Sequence, residues 1–557
     1  MDRNGGFEVA YAPAPQFTDD SSADKERTRL VELDKKRRDA LAAIDNAKFG
    51  WFHIRACLVA GVGFFTDAYD LFVINMVALM LGYIYFADAA GDKKNTLPKW
   101  TDSLLKASAQ IGTLIGQLLF GFLADRLGRK RMYGVELMII VIGTIGCALS
   151  SSTVKGWDIF VILFIWRVFL GIGVGGDYPL SAIITSEFAT TKRRGAMMAA
   201  VFAMQGFGIL AATFVSAATL RAFKGMIEDD QKNLDYVWRI CVGLGALPGL
   251  VAIYFRLTIP ETPRYTLDIE KDIGQAALDA DKVTHWSERG VNTKFDVNTE
   301  SNDHNAVLRE KKAGWADFKA YFGQWKHGKI LLGTAMCWFL LDIAFYGINL
   351  NTGIILSAIG YSGNASKDPA YDVLINSAIG NIIINLMGIV PGYWVSVFTI
   401  DKIGRKTIQI TGFAAMAVLF FVLGFAYDAL LDKSVAAFIV LFTFAQFFQN
   451  FGPNTTTFII PGEVFPTRWR STAHGISAAS GKAGAILASL GFYQLKDLGG
   501  KKNGWVKHLL KIFGGIMILG LLFTFLIPET KGKTLEELSG EDQDGYLERQ
   551  HEERTDA

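Results

Sequence analysis

Twelve blocks of about twenty mostly apolar residues, centred near positions 68, 115, 141, 170, 207, 249, 343, 385, 418, 447, 482 and 516, constrain this chain more than any other feature. A block of ~20 apolar residues is the length that crosses a bilayer as a helix. Lipid offers the backbone no hydrogen-bond partner, so such blocks must bond within themselves as helices. A membrane barrel would instead show short alternating segments, and the sequence has none. With 51% hydrophobic residues and only 20% charged ones in 557, an ordinary water-soluble fold is excluded. The expected fold is an all-α membrane protein with twelve transmembrane helices.

Charge placement orients the blocks. Basic clusters follow the second (Arg126, Arg129, Lys130, Arg131), the fourth (Lys192, Arg193, Arg194), the eighth (Lys402, Arg405, Lys406) and the tenth (Arg468, Arg470). Lys and Arg concentrate in cytoplasmic loops, which puts these loops and both termini inside. The last external loop, with Lys496, Lys501 and Lys502, is a mild exception. The first fifty residues are polar and mixed in charge, so no cleavable signal is expected. A net charge of +2 points to no nucleic-acid partner. Cys57, Cys147, Cys241 and Cys337 are scattered through apolar helices without metal-ligand spacing and read as small buried hydrophobes. No metal site, cofactor or nucleophile–base pair is evident, so enzymatic activity is not expected. Nothing in the sequence indicates oligomeric state.

The chain repeats its own plan. Asp125-Arg-Leu-Gly-Arg-Lys130 returns as Asp401-Lys-Ile-Gly-Arg-Lys406, an offset of 276 residues. At the same offset Glu187 becomes Glu463 and Arg194 becomes Arg470. Pro260-Glu-Thr262 closes the first half as Pro528-Glu-Thr530 closes the second. The expected organisation is a cytoplasmic tail (1–50), a six-helix bundle (51–264), a polar cytoplasmic linker (265–325), a second bundle (326–530) and a C-terminal tail (531–557). Parallel six-helix repeats related by pseudo-symmetry are the plan of the major facilitator superfamily, in which substrate binds between the halves. The loop GFLADRLGRKR (Gly121 to Arg131) resembles that superfamily's motif between its second and third helices.

Ionisable residues within lipid are expensive and read as functional by default. Eight fall inside or at the ends of the blocks: Asp67, Asp70, Glu136, Arg167, Asp177, Glu187, Asp342 and Lys482. Asp67 and Asp70 lie three apart and share a helix face, so they repel and at least one is expected to hold a proton. Arg167, ten residues before an otherwise unneutralised Asp177, reads as a structural countercharge to Glu136 or the first-helix aspartates. Gly171, Gly173, Gly175 and Gly176 formally spell G-x-G-x-x-G, but inside an apolar helix they read as close-packing positions rather than a dinucleotide loop. Trp338, Asp342 and Tyr346 advance by four and form one stripe of donors with a titratable carboxyl, suited to a small oxyanion. Lys482 is a lone cation among small residues, able to attract an anion or neutralise an aspartate. Glu187, Glu463, Asp125, Arg129, Asp401 and Arg405 read as cytoplasmic ion-pair gates, with Glu136 grouped beside them as structural. His474 and His53 read as helix caps or surface residues. The repeat adds that Tyr178 corresponds to Asn454 and Asp70 to Tyr346, so these four are expected to converge on a central cavity.

The string GGDYPLSAIITSEFA (Gly175 to Ala189) is nearly word for word the motif of plant and fungal proton-coupled phosphate symporters. The chain resembles that family, its fungal high-affinity members most closely, over roughly Gly50 to Glu537. The resemblance implies phosphate ligands at Tyr178, Gln205, Trp338, Asp342, Tyr346 and Asn454, with Asn450 as a substitute for the last. It implies proton coupling through Asp67, Asp70, Arg167 and Asp177, and binding or coupling at Lys482. It further implies import of phosphate with protons across the plasma membrane, with arsenate competing. Sugar symporters share the PETPR-like and PETKG-like ends, but here the seventh helix reads FLLDIAFYGINLN, with a carboxylate where they carry paired glutamines. A non-transporting phosphate sensor on the same fold is the other alternative.

Overall fold

The computed structural model describes residues 45–91, 94–152, 157–257, 262–268, 314–500 and 503–541, together with single positions between 28 and 42. Most of the expected N-terminal tail and linker, the last sixteen residues, Pro260, Lys501 and Lys502 lie outside the described residues. Eleven helices among the described residues are long and apolar enough to cross a membrane. They are α1 (Trp51–Tyr85), α2 (Lys99–Leu127), α3 (Arg129–Ala148), α4 (Ile159–Phe188), α5 (Arg194–Ala222), α6 (Gln231–Leu257), α7 (Trp325–Asn349), α8 (Ala370–Ile403), α9 (Arg405–Phe425), α10 (Val435–Val464) and α12 (Val506–Thr524). The twelfth, α11 (Arg470–Leu495), is as long but carries Ser, Gly, Lys482 and His474, because it is sheathed by protein on its polar side. Its low hydropathy follows from its central position.

Within the first half, α2 packs on α4, α3 on α4, and α1 on α5; within the second, α7 packs on α11 and α9 on α12. Two seams join the halves, α2 against α11 and α5 against α8. Since α2 corresponds to α8 and α5 to α11 in the repeat, the seams are the same contact made twice with the halves exchanged. The α2–α4 crossing explains the glycines. A Cβ on Gly112 would collide with the backbone at Val168 and Gly171, and one on Gly171 with Ala109 and Gly112. Side-chain-free surfaces are what let membrane helices approach this closely.

Two helices are irregular where they approach the centre. In α10, Gly452 is fully extended and Pro453 opens a new helical segment, so regular helix stops at Asn450 and restarts at Pro453. Proline lacks the N–H that would continue the ladder. The carbonyl of Asn450, left out of the ladder by the extended Gly452, accepts from Ser396 Oγ (3.1 Å) and Thr455 Oγ1 (2.7 Å). In α8 a π-helical turn, Asn385–Ile389, precedes Pro391, and Tyr393 follows directly. Such interruptions are tolerated in a membrane only where protein or a cavity receives the backbone, and they recur at functional sites.

Candidate functional site

The stripe on α7 faces α11. Lys482 Nζ donates to Asp342 Oδ2 (2.9 Å) and to the Tyr346 hydroxyl (2.9 Å), and it lies over the rings of Tyr346 and Tyr178 at 4.3 and 5.0 Å from their centroids. Trp338, one turn before Asp342, has its ring 6.3 Å from Tyr178. All of these side chains are 2% exposed or less, so the charge of Lys482 is matched inside the protein rather than by water. Of the two sequence options for Lys482, the structure shows the aspartate partner. Phe64, Phe202 and Phe458 pack edge-on or stacked beneath Tyr178 and form an apolar floor.

Tyr178 is tied to the opposite half by amides. Gln205 Nε2 donates to the Tyr178 hydroxyl (3.0 Å), Tyr393 donates to Gln205 Oε1 (3.2 Å), and Asn454 Nδ2 donates to Tyr393 (2.7 Å) and to Asn450 Oδ1 (2.8 Å). The sequence repeat thus led to two residues of one cluster, Tyr178 and Asn454. It misled at Asp70. Tyr346 reaches the cluster, whereas Asp70 turns into the first half and accepts from Thr144 Oγ1 (2.5 Å).

The remaining carboxylates form a row inside the first half. Arg256 on α6 donates to Glu136 on α3 and, at 2.6 Å, to Asp177 on α4, and its guanidinium lies 4.0 Å from the Tyr133 ring centroid. Asp177 also accepts from Ser181. Asp177 is therefore neutralised, contrary to the sequence reading, and Glu136 belongs to this interior cluster rather than with the gates. Arg167 meets neither Glu136 nor an aspartate carboxylate. It donates to Ser108 Oγ (3.2 Å) and the Asp70 carbonyl (3.4 Å), and of the acids it was expected to hold Arg256 takes Glu136. Asp67, wholly buried on α1, has no hydrogen-bond partner at either oxygen among the described residues.

The expected gate residues meet at the end bearing the basic loops, in two related clusters. Glu187 receives Arg470 (3.0 Å) from the other half and Arg129 (3.5 Å) from its own. Glu463 receives Arg194 (2.9 Å) from the other half and Arg405 (2.9 Å) from its own. Asp125 accepts the first backbone N–H groups of α11, at Ser471 (3.2 Å) and Thr472 (2.7 Å), and Asp401 accepts that of Ala196 in α5 (2.8 Å). Carboxylates at helix N-termini satisfy orphan donors and meet the positive end of the dipole. Outside the membrane Arg264 gathers Glu536 (2.8 Å), Asp45 (2.9 Å) and the carbonyl of Glu187 (2.6 Å). Burial pushes the Glu536 carboxyl up, but Arg264 outweighs it and holds the group down at about 2.

A family model for sugar (and other) transporters matches residues 56–541. A repressible high-affinity phosphate permease of Neurospora crassa is 49% identical, aligned over 92% of this chain and 90% of its own. The inorganic phosphate transporter PHO84 of Saccharomyces cerevisiae is 47% identical over 91% and 87%, and a probable inorganic phosphate transporter of Oryza sativa subsp. japonica is 44% identical over 90% and 94%. The chain belongs to the phosphate transporters of the sugar (and other) transporter family. Among solved structures, the proton:xylose symporter XylE superposes with a TM-score of 0.67 at 22% identity, over 88% of this chain and 99% of that one. At that identity the likeness establishes the fold, which is the major facilitator fold.

For this phosphate-transporter chain, three side chains escaped the sequence reading. Arg256 sits at the end of a block, where a basic residue reads as topology; its place within the run LVAIYFRL was the available signal. Tyr393 lies at the repeat offset from Gln117, so the repeat that found Asn454 could have found it. His474 was read as a cap or surface residue but is wholly buried, edge-on to Trp338 (5.5 Å) and bonded through Nε2 to the Phe458 carbonyl (3.1 Å). Small neighbours on α11 hide it from solvent. His53 is also buried, and its Nδ1 accepts the Gly50 N–H at the start of α1, as a cap does.

Proposed function

We propose that this protein imports inorganic phosphate together with protons across the plasma membrane by alternating access, with phosphate held between the two six-helix bundles and both termini in the cytoplasm. The observation that carries this reading is the buried Lys482–Asp342–Tyr346 group beside Trp338, Tyr178, Gln205 and Asn454. A lysine attracts an anion, phenol and indole donate to its oxygens, and a carboxyl already spanned by the lysine links anion binding to a proton. Phosphate entering there competes with Asp342 for Lys482, so Asp342 is released to take a proton as the anion arrives. Asp67, Asp70, Asp177 and Arg167 form the proton branch, and Asp67, having no donor among the described residues, is the member that carries the proton. The permease and transporter names of the relatives support the same substrate. Arsenate, with the same charge and shape, competes.

The test is labelled phosphate uptake at two external pH values with and without a protonophore. Uptake should rise in acid and collapse with the protonophore. Replacing Asp342 with Asn should abolish coupled uptake while the protein still inserts, since the amide keeps volume but cannot titrate. Hexose uptake indifferent to phosphate would end the reading.

A further inference from the structure

The polar chain that joins the halves has a fixed direction, and the direction decides which atoms face the substrate. Its far end is a backbone carbonyl. Asn450 Nδ2 lies 2.8 Å from the carbonyl of Gln446. A carbonyl can only accept, so the nitrogen of this amide must face it, and the usual ambiguity of amide orientation is removed. Asn450 Oδ1 then faces Asn454, which must present its NH2 group (2.8 Å). The second hydrogen of the same NH2 goes to the Tyr393 oxygen (2.7 Å). Tyr393, having accepted, gives its own proton to Gln205 Oε1 (3.2 Å), which turns Gln205 Nε2 toward Tyr178 (3.0 Å). The links from the Gln446 carbonyl to Asn454 are each forced by the one before.

Two consequences follow at the site. Tyr178 accepts from Gln205 and passes its own hydroxyl proton to the Tyr346 oxygen. Asn454 has spent both N–H bonds on Asn450 and Tyr393, so it can offer the substrate only Oδ1. An isolated asparagine beside an oxyanion would turn its NH2 toward it; this one is held the other way round. An acceptor at an anion site is repulsive unless the anion brings a proton of its own.

We infer that Tyr393 and Asn450 are positioning residues which lock Asn454 as a hydrogen-bond acceptor, so that the site selects a tetrahedral oxyanion bearing an O–H group. Hydrogenphosphate and hydrogenarsenate have that group, and sulfate at neutral pH does not. Both residues are buried completely, and they lie where the two irregular helices meet, Asn450 at the break in α10 and Tyr393 just after the π turn of α8. The local irregularities bring these side chains together. The inference rests on the phosphate reading and adds to it the basis of selectivity.

A site that hydrogen-bonds a substrate O–H rejects an analogue lacking it by a factor on the order of 10⁴. Losing one neutral hydrogen bond costs roughly 2- to 13-fold in affinity. The experiment measures phosphate uptake by the full-length protein, its KM and Vmax, and its inhibition by sulfate and by arsenate, in the wild type, Tyr393→Phe and Asn450→Ala. The phenylalanine keeps the ring against Phe202 and Gly206 and removes only the hydroxyl. In Tyr393→Phe we expect KM to rise by that roughly 2- to 13-fold factor, Vmax to hold, arsenate to compete as before, and sulfate to become an inhibitor. Asn450→Ala releases Asn454 from the other side and should admit sulfate too, which decides the matter if either variant fails to fold. Wild-type protein that takes up no phosphate would sink the substrate reading itself. Wild-type uptake that is already inhibited by sulfate, or variants that still exclude it, would overturn this inference while leaving phosphate import intact.

Discussion

The two ends of the molecule are closed in different ways. At the end bearing the basic loops, Glu187 and Glu463 each bind an arginine from both halves, all four arginines being 1% exposed or less. At the other end the halves meet through amides and one open ion pair. Asn75 donates to the Asn349 carbonyl (2.6 Å), Asn95 to the Ala365 carbonyl (2.8 Å), Lys106 to Asn351 (3.1 Å), and Lys99 pairs with Asp497 (3.0 Å) at 44% and 19% side-chain exposure. A cavity of about 110 Å³ lies among these residues. Exposed pairs contribute about 0–1 kcal/mol, whereas removing one partner of a buried pair costs about 3–5 kcal/mol. The closure at this second end is thus the weaker one, and the protein should open there first. Both closures are polar, which suits a gate: water can replace each bond when the halves part.

The largest test of this difference is Glu463→Gln. It leaves Arg194 without its carboxylate and Arg405 with Asp401 alone, and the Arg194 bond, worth about 3–5 kcal/mol, is made only while this end is closed. We expect uptake to collapse and the end bearing the basic loops to stand open. A cysteine placed at Ser471, beneath the gate, should become labelled by a reagent supplied from that side. Unchanged uptake with no labelling would mean that the buried network does not hold this end shut.

A second test asks whether charge buried inside one half behaves like charge buried between two. Arg256→Gln strands Glu136 and Asp177, both wholly buried, while Asp177→Asn leaves the Arg256–Glu136 pair neutral. Arg256→Gln should lower the amount of folded protein, and adding Glu136→Gln and Asp177→Asn should restore it without restoring uptake. Asp177→Asn alone should keep normal amounts of protein with weak concentrative uptake. Equal folded yields for both single variants, by size-exclusion chromatography in detergent, would show that the row is not under this electrostatic constraint.

Arg264 extends the stronger closure beyond the membrane, and its pH behaviour sharpens the contrast. Glu536 titrates near 2 in the folded protein against an ordinary value of 4.5. A depressed carboxyl contributes stability that is complete above its unfolded value and is lost only as pH falls through the folded one. This clasp is therefore constant across the physiological range. Glu536→Gln should lower Vmax, by the loss of a bond to a charged group shared with Asp45, with no change in the pH profile of uptake. A changed profile would show that the clasp, and not the membrane carboxylates, senses protons.

Twelve helices were legible because apolar length and loop charge are local quantities, and the acids and arginines of the two ion-pair clusters were legible because the repeat states them twice. Partner choice was not. Asp177 and Arg256 are 79 residues apart and meet only because α4 and α6 both pack around α1 and α3; composition cannot rank Arg256 above Arg167 for that role. Lys482 was visible as a cation, yet whether it faced an aspartate or a vacancy for an anion depended on the rotation of α11. Tyr393 was hidden by its own plainness, one tyrosine among seventeen, and only the π turn and Pro391 aim it at the centre.

The smallest expected effect comes from the weak closure and is informative for that reason. Asp497 is held below the ordinary carboxylate range: partial burial raises it, but the Asn503 N–H, Lys99 and Lys496 together outweigh burial. By the same sign argument its contribution is present above the unfolded value and lost only in strong acid, so a medium taken from about pH 7 to about pH 5 leaves the Lys99–Asp497 pair intact. Acid stimulation of uptake must then arise deeper, at the membrane carboxylates or in the substrate. Lys99→Ala should shift the open–closed balance by less than about 1 kcal/mol, raise the phosphate KM at most severalfold, and leave the ratio of uptake at the two pH values as it is in the wild type. Measured side by side with Glu463→Gln, it sets the scale of the asymmetry. If Lys99→Ala instead abolishes the acid stimulation, the outer pair is the proton-sensitive gate and the two ends have exchanged the roles assigned to them.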